Sequence, residues 1–94
     1  NDHLKTEAAT NSKQVFITEY EVVGLKKTSV GFLTHLMNFN DQKYYTAAQI
    51  SKNIRRALGS RYYANITYSL EPVSKGAAKI IFHVEEGALM LTST

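Results

Sequence analysis

Apolar and polar residues alternate along this chain in periodic runs separated by turn-forming residues. From Gln14 onward, Val15, Phe16, Ile17, Tyr20, Val22 and Val23 make a β-branched and aromatic run that stops at Gly24, the composition of a strand. Thr28 and Ser29 then offer helix N-caps. Val30, Phe32, Leu33, Leu36 and Met37 cover one arc at about 100° per residue, with Thr34 and His35 on the other side, so a short amphipathic helix is predicted up to Asn38-Phe39-Asn40-Asp41. A second helix begins at Thr46, where Thr46-Ala47-Ala48-Gln49 has the capping-box spacing. Its apolar stripe is Ala47, Ile50, Ile54, Ala57 and Leu58, and Gly59 is the expected left-handed stop.

Two alternating runs follow. Ala64, Ile66, Tyr68 and Leu70 alternate with Tyr63, Asn65, Thr67 and Ser69 until Pro72 and Gly76, and Ile80, Phe82 and Val84 then share one face of the next run. Opposed residues of a hairpin must lie on the same side of the sheet, which predicts Leu70 facing Ala78, Tyr68 facing Ile80, Ile66 facing Phe82 and Ala64 facing Val84. The order β-α-α-β-β predicts an α+β domain with two helices packed on one face of a three-stranded sheet. The expected core is Ile17, Tyr20, Val22, Leu33, Leu36, Ile50, Ile54, Leu58, Ile66, Tyr68, Leu70, Ile80, Phe82 and Val84. Of the pairs Tyr44-Tyr45 and Tyr62-Tyr63, one tyrosine each is expected inside and the other at the surface.

The 94 residues, 44% hydrophobic and 20% charged, suit one folded domain and not two. Residues 1–13 are too polar to bury a face and read as a linker or tail, residues 14–87 as the domain, and residues 88–94, with Leu89-Met90-Leu91, as the lead-in to a following domain. The absence of cysteine excludes a disulfide scaffold and cysteine-ligated metal. No apolar run approaches the roughly 18–20 residues a membrane-crossing helix needs. A net charge of +3 is too small to argue by itself for a nucleic-acid or membrane partner.

No catalytic, cofactor-binding or metal-binding set emerges. His3, His35 and His83 fall on different segments, and Ser29, Ser51, Ser60 and Ser69 lack the nucleophile-elbow glycines. Glu85 and Glu86 are adjacent strand residues that point to opposite faces, so they do not converge as an acid/base pair. Lys52, Arg55, Arg56 and Arg61, with Lys26-Lys27 and nearby tyrosines, form a candidate basic patch for RNA or phospholipid headgroups, against which stands a plain solvated helix face.

Several segments, in order, resemble the POTRA (polypeptide-transport-associated) family. Ile17-x-x-Tyr20-x-Val22-x-Gly24-Leu25 is similar to its first strand and turn, and Tyr45-Thr46-Ala47-Ala48-Gln49-Ile50 to its second-helix opening. Leu58-Gly59-Ser60-Arg61-Tyr62-Tyr63-Ala64-Asn65-Ile66 resembles its passage into the second strand, and Ile80-x-Phe82-x-Val84-x-Glu86 its third strand with a terminal acid. The resemblance spans about residues 15–87, and the stretch from Gly59 to Leu70 looks most like the domain joining a patatin-like lipase to an outer-membrane barrel. It implies a non-catalytic, periplasmic interaction module of an outer-membrane assembly or secretion protein, linked to a barrel. The implied partners are polypeptide clients or neighbouring domains, with no nucleic acid and no cofactor. The same resemblance places the third strand between the first and second. The strand Tyr63–Leu70 would then have an open edge for strand addition, and Tyr63, Asn65, Thr67 and Ser69 are its candidate residues. A small basic nucleic-acid-binding domain and a pure structural spacer are the alternatives.

Overall fold

The computed structural model describes residues 13–87. The expected tail and lead-in fall almost wholly outside the described residues. Six elements follow one another: β1 (Gln14–Val23), α1 (Val30–Met37), β2 (Lys43–Thr46), α2 (Ala47–Gly59), β3 (Tyr63–Ser74) and β4 (Ala77–Glu86). The sheet has four strands in the order β2-β1-β4-β3, so the expected three-stranded sheet is corrected by one short strand. β1 lies parallel to β4, while β1–β2 and β3–β4 are antiparallel. β2 escapes a periodicity argument because Lys43-Tyr44-Tyr45-Thr46 is only four residues and abuts the helix that Thr46 caps.

Local signals at the helix starts hold. Ser29 accepts from the Phe32 amide at 3.1 Å, and Thr46 and Gln49 form the reciprocal capping box at 2.8 and 3.1 Å. Asn38 ends α1 in the left-handed conformation (φ 55°). At the end of α2 the expectation fails. Gly59 is still helical, Ser60 caps it in right-handed geometry, and the left-handed residue is Arg61 (φ 71°).

The hairpin keeps the predicted faces from Asn65 to Leu70 and slips the register by two residues, whereas an irregularity between Tyr63 and Asn65 leaves Ala64, expected opposite Val84, exposed and without a partner and turns Tyr63 inward opposite Glu86. Leu70 faces Ile80, Tyr68 faces Phe82, and Ile66 faces Val84. The reason lies at the turn, where β3 runs past Pro72, bulges near Val73 and closes on Ser74 opposite Ala77. Gly76 at φ 77° makes that tight turn possible. A two-residue slip preserves the side of every side chain, so face patterning alone cannot detect it.

The core fills the space between the helices and one sheet face. Its fully buried side chains are Phe82, Ile17, Leu33, Met37, Ile50 and Ile80. Phe39, read from sequence as part of a helix terminator, is 3% exposed and joins an aromatic cluster, stacked on Tyr45 at 4.5 Å and edge-on to Phe82 at 5.0 Å. Met37, Ala57 and Ala78 are buried as well, outside the expected core, and Tyr45 and Tyr63 are the buried members of the two tyrosine pairs. Tyr20, Val22, Leu36, Leu58 and Tyr68 pack around the core only half-buried, and Leu70 is 40% exposed, which removes it from the core. Tyr44 is exposed beside buried Tyr45, and Tyr62 is half-buried beside buried Tyr63.

Candidate functional site

β3 forms one margin of the sheet and β2 the other. β3 is twelve residues long against four for β2, so it presents the longer margin. Which of its main-chain groups face outward follows from β4. The Gly76 carbonyl accepts from the Phe16 amide at 2.9 Å, and the Ala78 carbonyl accepts from the Thr18 hydroxyl at 3.3 Å. Even-numbered residues here therefore turn their main-chain groups toward β1. Alternation turns Lys79, Ile81, His83 and Glu85 toward β3, where they stand opposite Glu71, Ser69, Thr67 and Asn65. Ile66, Tyr68 and Leu70 are left with N–H and C=O groups directed away from the sheet. Pro72 shares their parity and has no N–H to leave unpaired, as a margin strand tolerates.

The four residues singled out from sequence thus play two parts. Asn65, Thr67 and Ser69 are exposed on the solvent face, with main-chain groups turned to β4. Ser69 Oγ lies 3.3 Å from His83 Nε2 on that face, and Lys79 and Glu21 pair there at 2.7 Å. Tyr63 is buried, and its hydroxyl donates to Thr28 Oγ1 at 2.9 Å. Burial raises the Tyr63 pKa above the ordinary 10.0, opposed by that hydrogen bond.

Beside the outward groups of β3 lies α2, leaving two depressions in the helix-side surface. One, of about 340 Å³, is lined mainly by apolar groups of Val15, Ala47, Ile50, Tyr68, Leu70 and Pro72. The other, of about 370 Å³, is lined by Ser51, Ile54, Arg55, Ile66, Thr67 and Tyr68. Tyr68 stands between them. Exposed Leu70 and Val73 extend the apolar character to the far end of β3.

The candidate basic patch is divided. Lys52 and Arg56 share a concavity with Lys43, Tyr44 and Asn53, whereas Arg55 belongs to the depression beside β3. Arg61 sits in the left-handed turn after α2 and lines neither. Among the described residues no group of three or more His, Asp or Glu is placed to hold a metal ion.

Sequence reasoning missed one polar anchor. Glu86 accepts from the main-chain amides of Lys26, Lys27 and Thr28 at 3.1, 2.9 and 2.8 Å and from the Thr28 hydroxyl at 2.9 Å. The Thr28 amide is the chief cause that holds its pKa down at about 2, against the ordinary 4.5, with desolvation opposing and the Lys27 and Lys26 amides adding. Successive amides of a loop preceding a helix form a cradle for an anion, a signal visible only once β4 and that loop are adjacent.

Residues 15–87 match a family model described as "POTRA: Surface antigen variable number repeat". No curated protein sequence matches the chain significantly. Among solved structures, POTRA domains 3–5 of BamA from Haemophilus influenzae match with TM-score 0.66 at 12% identity, over 77% of this chain and 29% of that one. The N-terminal domain of Omp85 from Thermosynechococcus elongatus matches with TM-score 0.66 at 15% identity, over 78% and 31%. POTRA domains 1–2 of the periplasmic domain of Omp85 from Anabaena match with TM-score 0.61 at 18% identity, over 78% and 47%. The chain thus spans less than half the length of each of these structures. At such identities the likeness is one of fold.

Proposed function

The chain belongs to the POTRA family, and from that premise we propose that it is a non-catalytic interaction module that takes up an extended polypeptide segment by strand addition along β3. The outward-facing main-chain groups of Ile66, Tyr68 and Leu70, bordered by the apolar depression at Leu70, Ala47 and Ile50, carry this reading. An incoming strand would satisfy the free N–H and C=O groups and lay alternate side chains against α2. Main-chain bonds supply affinity that tolerates many client sequences.

The likeness to a domain of the periplasmic part of an Omp85 protein supports a periplasmic location, on a parent anchored in the outer membrane by a barrel. Its partners would be polypeptide clients or neighbouring domains of the same chain. The stretch from Gly59 to Leu70 supports a patatin-like lipase parent, which the flanking sequence of the gene would settle.

The test is a titration of the isotope-labelled 94-residue chain with alternating apolar/polar peptides, read by amide chemical shifts. Strand addition requires the largest changes at Ile66, Tyr68 and Leu70, with new protection of those amides from exchange. Changes centred on Lys43, Lys52 and Arg56 would shift the interaction to the basic concavity. A domain that binds no peptide at all would act as a spacer.

A further inference from the structure

We propose that Arg55 gives the β3 margin a charge preference: an added segment is favoured when it carries a carboxylate facing Ile66 and an apolar side chain facing Leu70, four residues apart. This inference rests on the strand-addition reading above and names the kind of segment that site selects.

The geometry comes from two elements that advance in step. Ala47, Ser51 and Arg55 are spaced four apart and form one row along α2. Ala47 shares a depression with Leu70 and Pro72, and Ser51 and Arg55 share the other with Ile66 and Thr67. The helix therefore runs antiparallel to β3 beside its open side. Eight helical residues from Ala47 to Arg55 rise about 12 Å. Four strand residues from Ile66 to Leu70 span about 13 Å. Arg55 is consequently level with Ile66 when Ala47 is level with Leu70.

A segment added to β3 would lie about 4.8 Å outside it. Its residues facing Ile66, Tyr68 and Leu70 would turn their side chains to the helix side, along the Ala47–Ser51–Arg55 row. The side chain facing Leu70 meets a mainly apolar wall of Leu70, Pro72, Ala47 and Ile50, in a depression whose lining also includes Lys13, Gln14 and Ser74. The side chain facing Ile66 meets the Arg55 guanidinium and the Ser51 hydroxyl, all donors a carboxylate can use. Among the described residues the ion pair present is Lys79–Glu21, on the other face of the sheet, and no described carboxylate pairs with the Arg55 guanidinium. An added strand also withdraws Arg55 partly from water, which strengthens a matched charge and penalises a lysine at the same place.

The order of the two residues reports strand polarity. β3 runs from Ile66 to Leu70, so antiparallel addition calls for the apolar residue first and the acid four residues later, and parallel addition calls for the reverse.

The experiment uses two fluorescent peptide series, one for each order, with Glu, Gln or Lys at the variable position, titrated onto the 94-residue chain by anisotropy. In one order Glu is expected to bind about three- to tenfold more tightly than Gln, with Lys weakest, the range of a partly screened ion pair. Arg55→Glu should invert the ranking of Glu and Lys. Arg56→Gln, whose side chain lines the other concavity, should leave it intact. Moderate salt should compress the ranking while the Gln peptide stays bound. Equal binding of Glu and Gln peptides in both orders overturns the proposal, as does a ranking that survives Arg55→Glu. A folded Leu70→Pro variant separates the two levels. If it abolishes binding of every peptide while no charge ranking exists, only the Arg55 assignment falls. If it binds as the parent does, strand addition fails and the Arg55 proposal with it.

Discussion

Glu86 accepts two hydrogen bonds from Thr28, one from the main-chain amide at 2.8 Å and one from the hydroxyl at 2.9 Å. They tie the end of β4 to the loop that leads into α1, and through the Tyr63 hydroxyl bound to Thr28 they reach the start of β3. The donors gathered on Glu86 favour its charged form, because protonation turns one acceptor oxygen into a donor, and this fixes the direction of the acid response. The Glu86 pKa is lowered from 4.5 to about 2 in the folded chain, so its contribution is complete above about pH 4.5 and is lost as pH falls toward 2. Glu86→Gln should lower stability at neutral pH by roughly 1 kcal/mol, a figure reduced for solvent exposure. The difference from the parent should shrink as pH drops from about 5 to about 2. Urea midpoints across that range measure it, and parallel acid profiles for the two proteins would mean the carboxylate contributes nothing.

Gly24 ends β1 with φ at 105°, and a Cβ placed there would overlap the Val84 carbonyl oxygen. Backbone meets backbone at this point, so no side-chain rotation relieves the clash. Gly24→Ala should cost at least about 2 kcal/mol, combining strain in φ with displacement of β4. Gly31 is the control, because it lies in α1 with nothing within 4 Å of the position its Cβ would take. Gly31→Ala should leave stability unchanged or raise it by up to about 1 kcal/mol through helix propensity. Thermal unfolding of both variants distinguishes a required glycine from a tolerated one.

What was legible in the chain was whatever rests on local chemistry or on which side a residue faces. The capping box at Thr46, the Ser29 cap and the alternation of Ile80, Phe82 and Val84 each survive because a few adjacent residues decide them. Position along a strand is a different matter. The two-residue slip between β3 and β4 arises because the turn closes at Lys75-Gly76, between Ser74 and Ala77, and it leaves the faces from Asn65 to Leu70 unchanged. Phe39, and which of Tyr44 and Tyr45 turns inward, were illegible for a related reason, since the short β2 has to form before the rings of Phe39 and Tyr45 meet. The proposed interaction site was half visible. The resemblance pointed to β3, yet the residues named on it by side-chain alternation, Asn65, Thr67 and Ser69, are those whose main-chain groups turn inward. Side-chain direction and hydrogen-bond direction both alternate along a strand, and only the pairing with β4 says how the two are phased.

Phe82 is fully buried under Phe39, whose ring meets it edge-on at 5.0 Å. Phe82→Ala would leave a cavity between sheet and helices and remove an aromatic contact, at a cost of about 3–5 kcal/mol. A domain of this size has little more stability than that in total. Denaturant unfolding should show a severely shifted midpoint or no folded baseline, and a midpoint equal to the parent's would contradict the packing.

Proline substitution along β3 separates the inward main-chain groups from the outward ones, because proline removes a single N–H without adding charge. Ser69 faces Ile81 and turns its amide to β4, whereas Leu70, its neighbour, turns its amide to the open side. Both side chains are exposed, Leu70 at 40%, so neither substitution empties the core. Ser69→Pro should therefore break a ladder bond in the middle of the β3–β4 pair and destabilise the domain by about 3 kcal/mol or more. Leu70→Pro should cost distinctly less, from fixed φ and a trimmed apolar contact, because the margin already accommodates Pro72 in the same parity. The folded Leu70→Pro variant should then lose capture of extended peptides, since the N–H that an added strand would engage is gone. Circular dichroism melts rank the two variants, and anisotropy with a neutral alternating peptide reads the binding. A more stable Ser69→Pro than Leu70→Pro would reverse the phasing of the strand.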